Sequence, residues 1–454
     1  MNYPIWEPYM LGGGMVIGII AILHVFVSHF AVGGGLFLPL IERKAYRDGN
    51  EPLLDYVKSH SKFFVLVVLV FGAVSGVGIW WSIGLVNPEA TATLIHVFVW
   101  GWAIEWVFFI VEIAAAFIYY YGWDRLDRRT HLRVGWVYFG AAWASLLVIN
   151  GILTFMLTPG RWLEHPSFFT AYFNPGMLPS LVVRTAVCVA LAGVYALITS
   201  SAVSDVGLRS EVVRYAAHWL LLGALVIPVG GLWYIATLPP MAREISMGGA
   251  PAVTIFAGLS ILFSALVVVF TYFGPFQHPR GFGMPFAFLL AALALSTTGV
   301  TEWVREAVRK PYIIYGYMYA NTLRPPDMAR LRKEGVLKAA LWVRHHDVDA
   351  DAIESSGEEV FRVECASCHT VNGYNSIRVA VKGWSWAMID YQLLHLSAFK
   401  GFMPPFVGTE RERQALGAWL ANLNPPHTRI DIAPGPGAAE TQPVDKAGEG
   451  VNQK

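Results

Sequence analysis

The chain has 454 residues, of which 55% are hydrophobic and only 14% are charged, and its formal net charge is +1. Soluble domains carry about 25% charged residues, so this composition excludes an ordinary soluble protein. The near-zero net charge gives no indication of nucleic acid as a partner. Only three cysteines are present, which excludes a disulfide framework.

Apolar runs long enough to cross a membrane follow one another from near the N-terminus to about residue 320. A helix needs about 20 apolar residues to cross the hydrocarbon layer of a lipid bilayer. We therefore predict an all-α polytopic bundle with eight spans, at residues 11–41, 63–86, 93–121, 134–157, 178–200, 215–237, 251–273 and 283–303. Residues 305–323 are expected to continue the last span as a charged, aromatic helix or interfacial stretch. The first residues lack the basic region of a cleavable signal peptide.

Lys and Arg are distributed unequally between the two sets of connections. Twelve lie in the connections after spans one, three, five and seven, and two lie in the other set. Connections rich in Lys and Arg stay in the cytoplasm. We therefore expect a multi-pass protein of the bacterial inner (cell) membrane. Its N-terminus and the region after the last span are expected on the periplasmic side.

Ionisable side chains inside the predicted spans are candidates for function, because a charge in a bilayer is costly. Glu105 and Glu112 are seven residues apart, which places them on one face of span three. His24 and His29 are about 140° apart around span one, so we do not expect both to bind one metal ion. Span eight ends in a stripe of alternating charge at Glu302, Arg305, Glu306 and Arg309. Two further candidates are His96 and Arg184.

The composition changes after the last apolar run. We divide the chain into a membrane domain at 1–323, a polar linker at 324–349 and a small soluble helical domain at 350–425. The remaining residues, 426–454, are rich in Pro and Gly and are expected to be disordered.

The soluble region carries the sequence Cys-Ala-Ser-Cys-His at residues 365–369. This C-x-x-C-H spacing is that of covalent c-type haem attachment, in which two thiols bind the porphyrin and the histidine binds the iron. A zinc site needs further Cys or His at ligand spacing, and a redox C-x-x-C does not need the histidine. Cys365, Cys368 and His369 are therefore predicted to hold one covalent haem c.

A second axial ligand is required, and methionine is the usual one in electron-transfer haems. Met403, in the stretch Gly-Phe-Met-Pro-Pro, is the candidate that we favour, with Met388 and His395 as alternatives. The Met-Pro-Pro stretch and the helix predicted after it resemble small class I cytochrome c domains. Haem c is attached outside the cytoplasm, which agrees with the orientation that the connections predict.

Five stretches of the membrane region together resemble the large subunit of cytochrome bd quinol oxidase. They are LHVFVSHFAVGGGLFLPLIE, GAVSGVGIW, AIEWVFFIVE, YYGWDRL and REAVRKPYIIYG. They follow the order of that family between about residues 10 and 323, and YGWDRL and the Glu-x-x-Arg-Lys-Pro-Tyr pattern are the more specific. The resemblance implies non-covalent haem b or haem d, an oxidoreductase activity and a second membrane subunit.

The resemblance also implies roles for individual residues. His24 falls on the family's first-helix histidine and Glu306 on its glutamate, both of which are ligands at the high-spin haem pair. Glu105 falls on the acidic residue linked to proton delivery and the low-spin haem. Glu112 lies one residue out of step with a second glutamate of that helix. Arg309, in the same motif as Glu306, is expected to contact the cofactor.

Two departures from the family bear on function. The fifth-helix histidine that binds the low-spin haem b is Arg184 here, and arginine does not bind iron, so that haem is absent or reassigned. Arg184 is then available for a haem propionate or a glutamate, and His96 and His29 are the alternative iron ligands. The family's long quinol-binding loop after span six is also missing, and only residues 238–250 join spans six and seven.

Two hypotheses follow. In the first, the chain is a bd-like terminal oxidase in which haem c takes electrons from a periplasmic donor and passes them to buried haem, where oxygen is reduced. In the second, it is a non-catalytic membrane anchor that conducts electrons between a quinone or membrane haem and a periplasmic oxidoreductase. An inventory of c, b and d haems discriminates between them.

Overall fold

The structure is a computed structural model that describes residues 3–399 and 401–424. Within these residues, eight helices are long and apolar enough to cross a membrane, as the sequence predicts. The predicted disordered tail, 426–454, lies outside the described residues.

The eight candidate spans are antiparallel neighbours in chain order. Most are single helices, and the second and seventh include a π-helical stretch, Leu66–Gly72 and Tyr272–Phe276. The helices are α1 Gly12–Asp48, α2 Glu51–Val65, α3 Ala73–Val86, α4 Pro88–Val97, α5 Val99–Tyr121, α6 Arg128–Phe155, α7 Phe168–Tyr172, α8 Met177–Ser200, α9 Val206–Ala236, α10 Pro240–Glu244, α11 Pro251–Thr271 and α12 Met284–Ala307.

The third predicted span, 93–121, is divided in the structure. Phe98, with φ −116° and ψ 28°, separates the short helix α4 from α5, and only α5 qualifies as a candidate span. Asn87 caps α4 by accepting a hydrogen bond from the Ala90 N–H, and Pro88 occupies the first turn. As a result, His96 lies on α4, before the span that carries Glu105 and Glu112.

Small residues allow close contacts between the central helices of the bundle. A Cβ atom on Gly33 of α1 would lie 1.8 Å from the Cys188 carbonyl oxygen of α8. Cβ atoms on Gly193 and Gly223 would likewise lie 2.6 Å and 2.4 Å from carbonyl oxygens across the α8–α9 contact. Glycine at such positions lets two backbones approach, which is a common mode of helix association in membranes. Cys188 is fully buried, as expected for a small apolar side chain.

The last candidate span ends at Ala307, and a short antiparallel hairpin follows it. Its strands are β1 Tyr312–Ile314 and β2 Met318–Tyr319. Of the two alternatives expected for residues 305–323, the helix is therefore wrong beyond Ala307, and the interfacial stretch stays a prediction. Pro311, which has no N–H to donate, makes further helix unfavourable at this point.

The C-terminal region is a second, smaller helical unit with its own apolar core. Its helices are α13 Met328–Glu334, α14 Val336–Ala339, α15 Ile353–Glu364, α16 Ile377–Ala380, α17 Trp386–Leu394, α18 Leu396–Phe399 and α19 Glu410–Asn422. The segment expected as a linker, 324–349, contributes Leu331, Val336 and Leu337 to this core. Each of the three is at most 2% exposed, so the segment is packed and is not a free tether.

The C-terminal unit packs against the end of the bundle that bears few Lys and Arg residues. The Tyr374 N–H donates to the Met10 carbonyl just before α1, at 2.7 Å. The Asn372 amide donates to the Tyr9 hydroxyl at 3.1 Å, and Arg362 approaches Glu7 at 3.6 Å. The soluble unit and the start of α1 therefore form one continuous contact.

Candidate functional site

The C-x-x-C-H motif forms a tight turn at the end of α15. The N–H groups of Cys368 and His369 both donate to the Cys365 carbonyl, at 3.0 Å and 2.9 Å. This turn keeps the two free thiols and the imidazole close together. Such an arrangement is what attachment of one porphyrin through two thioethers requires.

Asn375 orients His369, and sequence reasoning did not identify it. Its backbone is left-handed, with φ 52°, a conformation that asparagine adopts more readily than most residues. Its side-chain amide donates to the Cys368 carbonyl at 2.8 Å, and its carbonyl accepts from Nδ1 of His369 at 3.1 Å. A hydrogen bond from Nδ1 leaves Nε2 as the lone pair for iron. Burial lowers the pKa of His369, which favours this neutral form, although the bond to Asn375 opposes the shift.

The candidates for the second axial ligand occupy different environments. Met403 lies in a bend of the irregular segment before α19 and is partly buried, four residues before the buried Val407. Met388, on α17, is 50% exposed. His395, at the end of α17, has its Nδ1 2.7 Å from the Tyr391 carbonyl. Met403 stays our predicted ligand.

His24 lies in α1 and is partnered by the Gly-Ala-Val-Ser-Gly stretch of the second span. Its Nδ1 is 3.1 Å from the Ser75 hydroxyl, and that hydroxyl donates to the Phe71 carbonyl at 2.7 Å. Because the Ser75 proton is used in this way, the hydroxyl accepts from Nδ1–H and leaves Nε2 of His24 available. A Cβ on Gly76 would lie 3.2 Å from the His24 ring, so glycine gives the imidazole its space.

The charged stripe at the end of α12 is paired as its spacing predicts. Arg305 donates to Glu302 at 2.8 Å, and Arg309 donates to Glu306. Arg309 is 5% exposed and also contacts the Met156 sulfur at 3.2 Å. The Lys310 ammonium lies 3.6 Å from Glu306, so this carboxylate has cations on both of its oxygens.

His24 and Glu306 lie at different depths of the bundle. Ile22 of α1 contacts the position of Gly299 on α12, where a Cβ would lie 3.7 Å from it. Spans one and eight are antiparallel, so Glu306 lies nearer than His24 to the outer end, by roughly 14 Å at 1.5 Å per residue. One iron cannot bind both side chains. The two residues therefore suit two separate irons.

Glu105 and Glu112 both contact α6, which agrees with their predicted position on one face. Glu105 accepts from the Ser145 hydroxyl at 3.1 Å, and Glu112 accepts from the Tyr138 hydroxyl at 3.0 Å. Ser145 and Tyr138 are themselves seven residues apart, so the contacts repeat along the two helices. The pair forms a short polar track in an apolar contact.

Arg184 has charged neighbours in the centre of the bundle. Glu302 is the opposite charge that acts most strongly on it, and Arg305 and the buried His29 also interact electrostatically with this group. Among the described residues, Nε of Arg184 is buried and has no hydrogen-bond partner. By contrast, His96 is exposed on α4, and its Nδ1 lies 2.7 Å from the Ala92 carbonyl. The structure does not bring His96 into this cluster.

Two side chains of the segment that follows α12 contact the haem c motif, and sequence reasoning missed both. Lys310 lies 4.0 Å from Sγ of Cys368. The Asn321 amide donates to the carboxylate of Glu364, at 3.1 Å, and to its carbonyl, at 3.3 Å. Glu364 directly precedes Cys365. No local sequence pattern signals these contacts, because the partners are more than 40 residues apart.

A buried polar cluster near the other end of the bundle was also missed. Glu42 of α1 is fully buried and accepts from His131 at 2.8 Å and from the Tyr119 hydroxyl at 2.7 Å. The second ring nitrogen of His131 lies 2.8 Å from the Tyr119 carbonyl. Both carboxylate oxygens and both ring nitrogens therefore have partners, which suits a structural role. Nearby, Lys58 pairs with Asp124 of the YGWDRL stretch at 2.7 Å.

The residues present fit haem better than a bare metal ion. Among the described residues, no group of three or more His, Cys, Asp or Glu side chains is arranged to hold a metal. A porphyrin supplies four iron ligands itself, so one or two axial side chains suffice. His369 and His24 each keep a free Nε2, and the unpartnered Nε of Arg184 suits a propionate carboxylate.

The fold and these sites define a class of protein, a haem-binding membrane bundle joined to a cytochrome c domain. Comparison with known proteins confirms both parts. Residues 15–237 match the family model of cytochrome bd terminal oxidase subunit I, and residues 352–420 match that of cytochrome c oxidase, cbb3-type, subunit III. The chain therefore joins a membrane domain similar to cytochrome bd subunit I to a region similar to the cbb3-type cytochrome c subunit, and both similarities imply electron transfer. The Glu306 motif lies outside both matched ranges.

A solved structure agrees with the assignment of the fold. The bd oxidase from Geobacillus thermodenitrificans is similar with a TM-score of 0.59 at 16% sequence identity. The match covers 70% of this chain and 90% of that chain. At this identity the likeness supports the fold alone. A comparison with curated proteins gives no match.

Proposed function

We propose that this chain is a bd-like respiratory oxidoreductase that receives electrons through its own haem c. In this proposal, Cys365 and Cys368 hold the haem covalently, and His369 and Met403 bind its iron. A periplasmic protein delivers the electrons, and His24 and Glu306 would hold buried b- or d-type haem, which would supply the chemistry of oxygen reduction.

The contact between Lys310 and Cys368 carries this proposal. The Lys310 ammonium lies 4.0 Å from Sγ of Cys368 in the attachment motif of haem c. It also lies 3.6 Å from the carboxylate of Glu306 in the last turn of α12. The order from the soluble unit inward is Cys368, Lys310, Glu306 and then His24. An electron that enters at the motif therefore meets the two proposed membrane sites in sequence.

The short connection after α9 supports the same route. Residues 238–250 hold only α10 and a π-helical turn, Ile245–Gly249. A Cβ on Gly401, two residues before Met403, would lie 3.7 Å from the Met241 methyl of this connection. The soluble unit thus contacts the place where the related family has its long quinol loop. Electron entry through a protein-borne haem replaces quinol entry at this position.

The side chains of the membrane domain have distinct tasks in this proposal. Haem iron supplies the redox chemistry and the binding of a diatomic acceptor. Ser75 fixes the tautomer of His24, and Arg184 neutralises a buried anion. Glu105 and Glu112, with Ser145 and Tyr138 as hydrogen-bond donors, hold protons for the reduction. The soluble unit, at the end poor in Lys and Arg, lies on the periplasmic side.

The haem inventory tests the proposal. Pyridine haemochrome spectra and extracted pigment from the purified protein count c, b and d haems. We expect one c haem together with non-covalent haem, and oxygen uptake with a reduced soluble cytochrome. The His24→Ala variant should lose a high-spin signal and keep the c signal. A protein with haem c and no other haem would contradict the proposal.

A non-catalytic conduit is the second candidate function. The replacement of the family's fifth-helix histidine by Arg184 favours it, because one membrane haem then lacks its ligand. In this case the chain exchanges electrons between a quinone or membrane haem and a periplasmic oxidoreductase. Non-covalent haem that is reduced through haem c without oxygen uptake would select this function.

A further inference from the structure

Lys310 has an unusual position between the two halves of the proposed electron path. It follows α12 by three residues and precedes Pro311, at the point where the chain leaves the membrane. Its backbone is held in place, because the Lys310 N–H donates to the Ala307 carbonyl at 3.2 Å. The Pro311 carbonyl accepts from the Ala320 N–H at 2.8 Å, which ties this turn to the end of the hairpin.

The Lys310 side chain has one partner on each side. Its ammonium lies 3.6 Å from the Glu306 carboxylate and 4.0 Å from Sγ of Cys368, and only 28% of the side chain is exposed. Attachment of haem c would convert Cys368 into a neutral thioether. The positive charge of Lys310 would then be close to the attached haem, with the Glu306 carboxylate as its other partner.

A cation in this position affects the redox equilibrium of haem c. Reduction removes one positive charge from the iron, so a nearby cation stabilises the reduced form relative to the oxidised form. The Lys310 side chain is partly buried, so salt screens its charge only weakly. Its effect on the haem c potential therefore persists although Glu306 lies nearby. The sign is definite, and the presence of Lys310 raises the midpoint potential.

We propose that Lys310 is the positioning residue through which the membrane domain orients haem c and raises its redox potential. The effect of Lys310 on the direction of electron flow rests on the proposed function. The test of its effect on the potential requires only that haem c is attached. A second contact supports it independently. Asn321, from the same exit segment, binds Glu364 beside the other attachment cysteine, Cys365.

Redox titration of the purified full-length protein tests the inference. The variants Lys310→Gln and Lys310→Met remove the charge, and Lys310→Arg retains it. The control Lys333→Gln removes the same charge from an exposed position on α13. In Lys310→Gln and Lys310→Met, we expect the oxidised-to-reduced ratio of haem c at fixed potential to rise about tenfold. For a one-electron couple, this is a fall of about 59 mV in the midpoint potential of haem c. The Arg variant and the control should stay at the wild-type value.

A second measurement separates this inference from the proposed function. Flash photolysis of carbon monoxide from the reduced membrane haem allows electrons to flow back, and the absorbance of haem c follows them. Slower transfer in Lys310→Gln and normal transfer in Lys310→Arg would support the inference. An unchanged haem c potential in both uncharged variants overturns it, whatever the transfer rate. Absence of internal transfer in the wild type would refute the proposed function instead.

Discussion

Gly373 provides a sharp test of how the soluble unit is held. A Cβ at this position would lie 2.1 Å from the Met10 carbonyl oxygen, whereas real Cβ contacts stay above 3.0 Å. Both atoms belong to the backbone, so no side chain can rotate away to relieve the clash. We therefore expect Gly373→Ala to separate the haem c unit from the start of α1.

The size of the effect follows from the contacts at this point. Separation breaks the hydrogen bond from Tyr374 to Met10 at 2.7 Å and that from Asn372 to Tyr9 at 3.1 Å. Each net hydrogen bond contributes about 1 kcal/mol, so the docked arrangement loses about 2 kcal/mol. At 1.4 kcal/mol per factor of ten, this is roughly a thirtyfold shift toward the separated form.

Hydrogen exchange of the segment that contains Tyr374 measures this shift. The amide should lose protection by about the same factor in Gly373→Ala, and electron transfer between haem c and the membrane haem should slow. The haem c spectrum should not change, because the attachment motif is untouched. Gly14→Ala is the matched control, since a Cβ there meets nothing within 4 Å. Wild-type protection at Tyr374 in the Gly373 variant would refute the docked arrangement.

Two further predictions concern single hydrogen-bonding groups. Ser75→Ala should change the high-spin haem spectrum, because His24 loses the acceptor that fixes its tautomer. Ser75→Thr keeps the hydroxyl and should keep the wild-type spectrum. Identical spectra for the wild type and both variants would exclude this role. Burial raises the pKa of Glu364 well above the usual value of about 4.3, and Glu412 adds to the shift. The neutral form is therefore favoured, so its stabilisation is complete below about pH 4.3 and is lost as pH rises through the raised pKa. Thermal unfolding of the C-terminal unit should then lose this pH dependence in Glu364→Gln, and an unchanged slope would contradict the assignment.

Local sequence patterns were sufficient to predict the spans and the paired residues within them. Hydropathy depends on consecutive residues, so the eight candidate spans agree with the structure. Helical periodicity likewise predicted that Glu105 and Glu112 share a face, and both contact α6. The kink at Phe98 was missed because the apolar run continues across it.

The contacts between the two units could not be predicted in this way. Lys310 and Cys368 are 58 residues apart, and no periodic pattern relates them. The segment 324–349 was interpreted as a linker because it is polar and contains proline. Its few apolar residues, such as Leu331 and Leu337, are nevertheless buried. Tertiary packing, which composition does not encode, decides whether such a segment is a tether or part of a core.

The position of the polar groups explains how the two departures from the bd family fit together. Arg184, at the position where the resemblance implies a histidine ligand, interacts with Glu302, about one turn before Glu306 on α12, and with Arg305, which directly precedes Glu306. A fixed positive charge in this cluster opposes the binding of a further iron and favours a buried anion. If electrons enter at Lys310 and Glu306, they reach the membrane sites from the outer end of α12. Neither a relay haem on α8 nor a quinol loop after α9 is then needed. In the proposed function, loss of the histidine and loss of the loop both fit one change, the docking of a haem c unit on the end of the bundle that is poor in Lys and Arg.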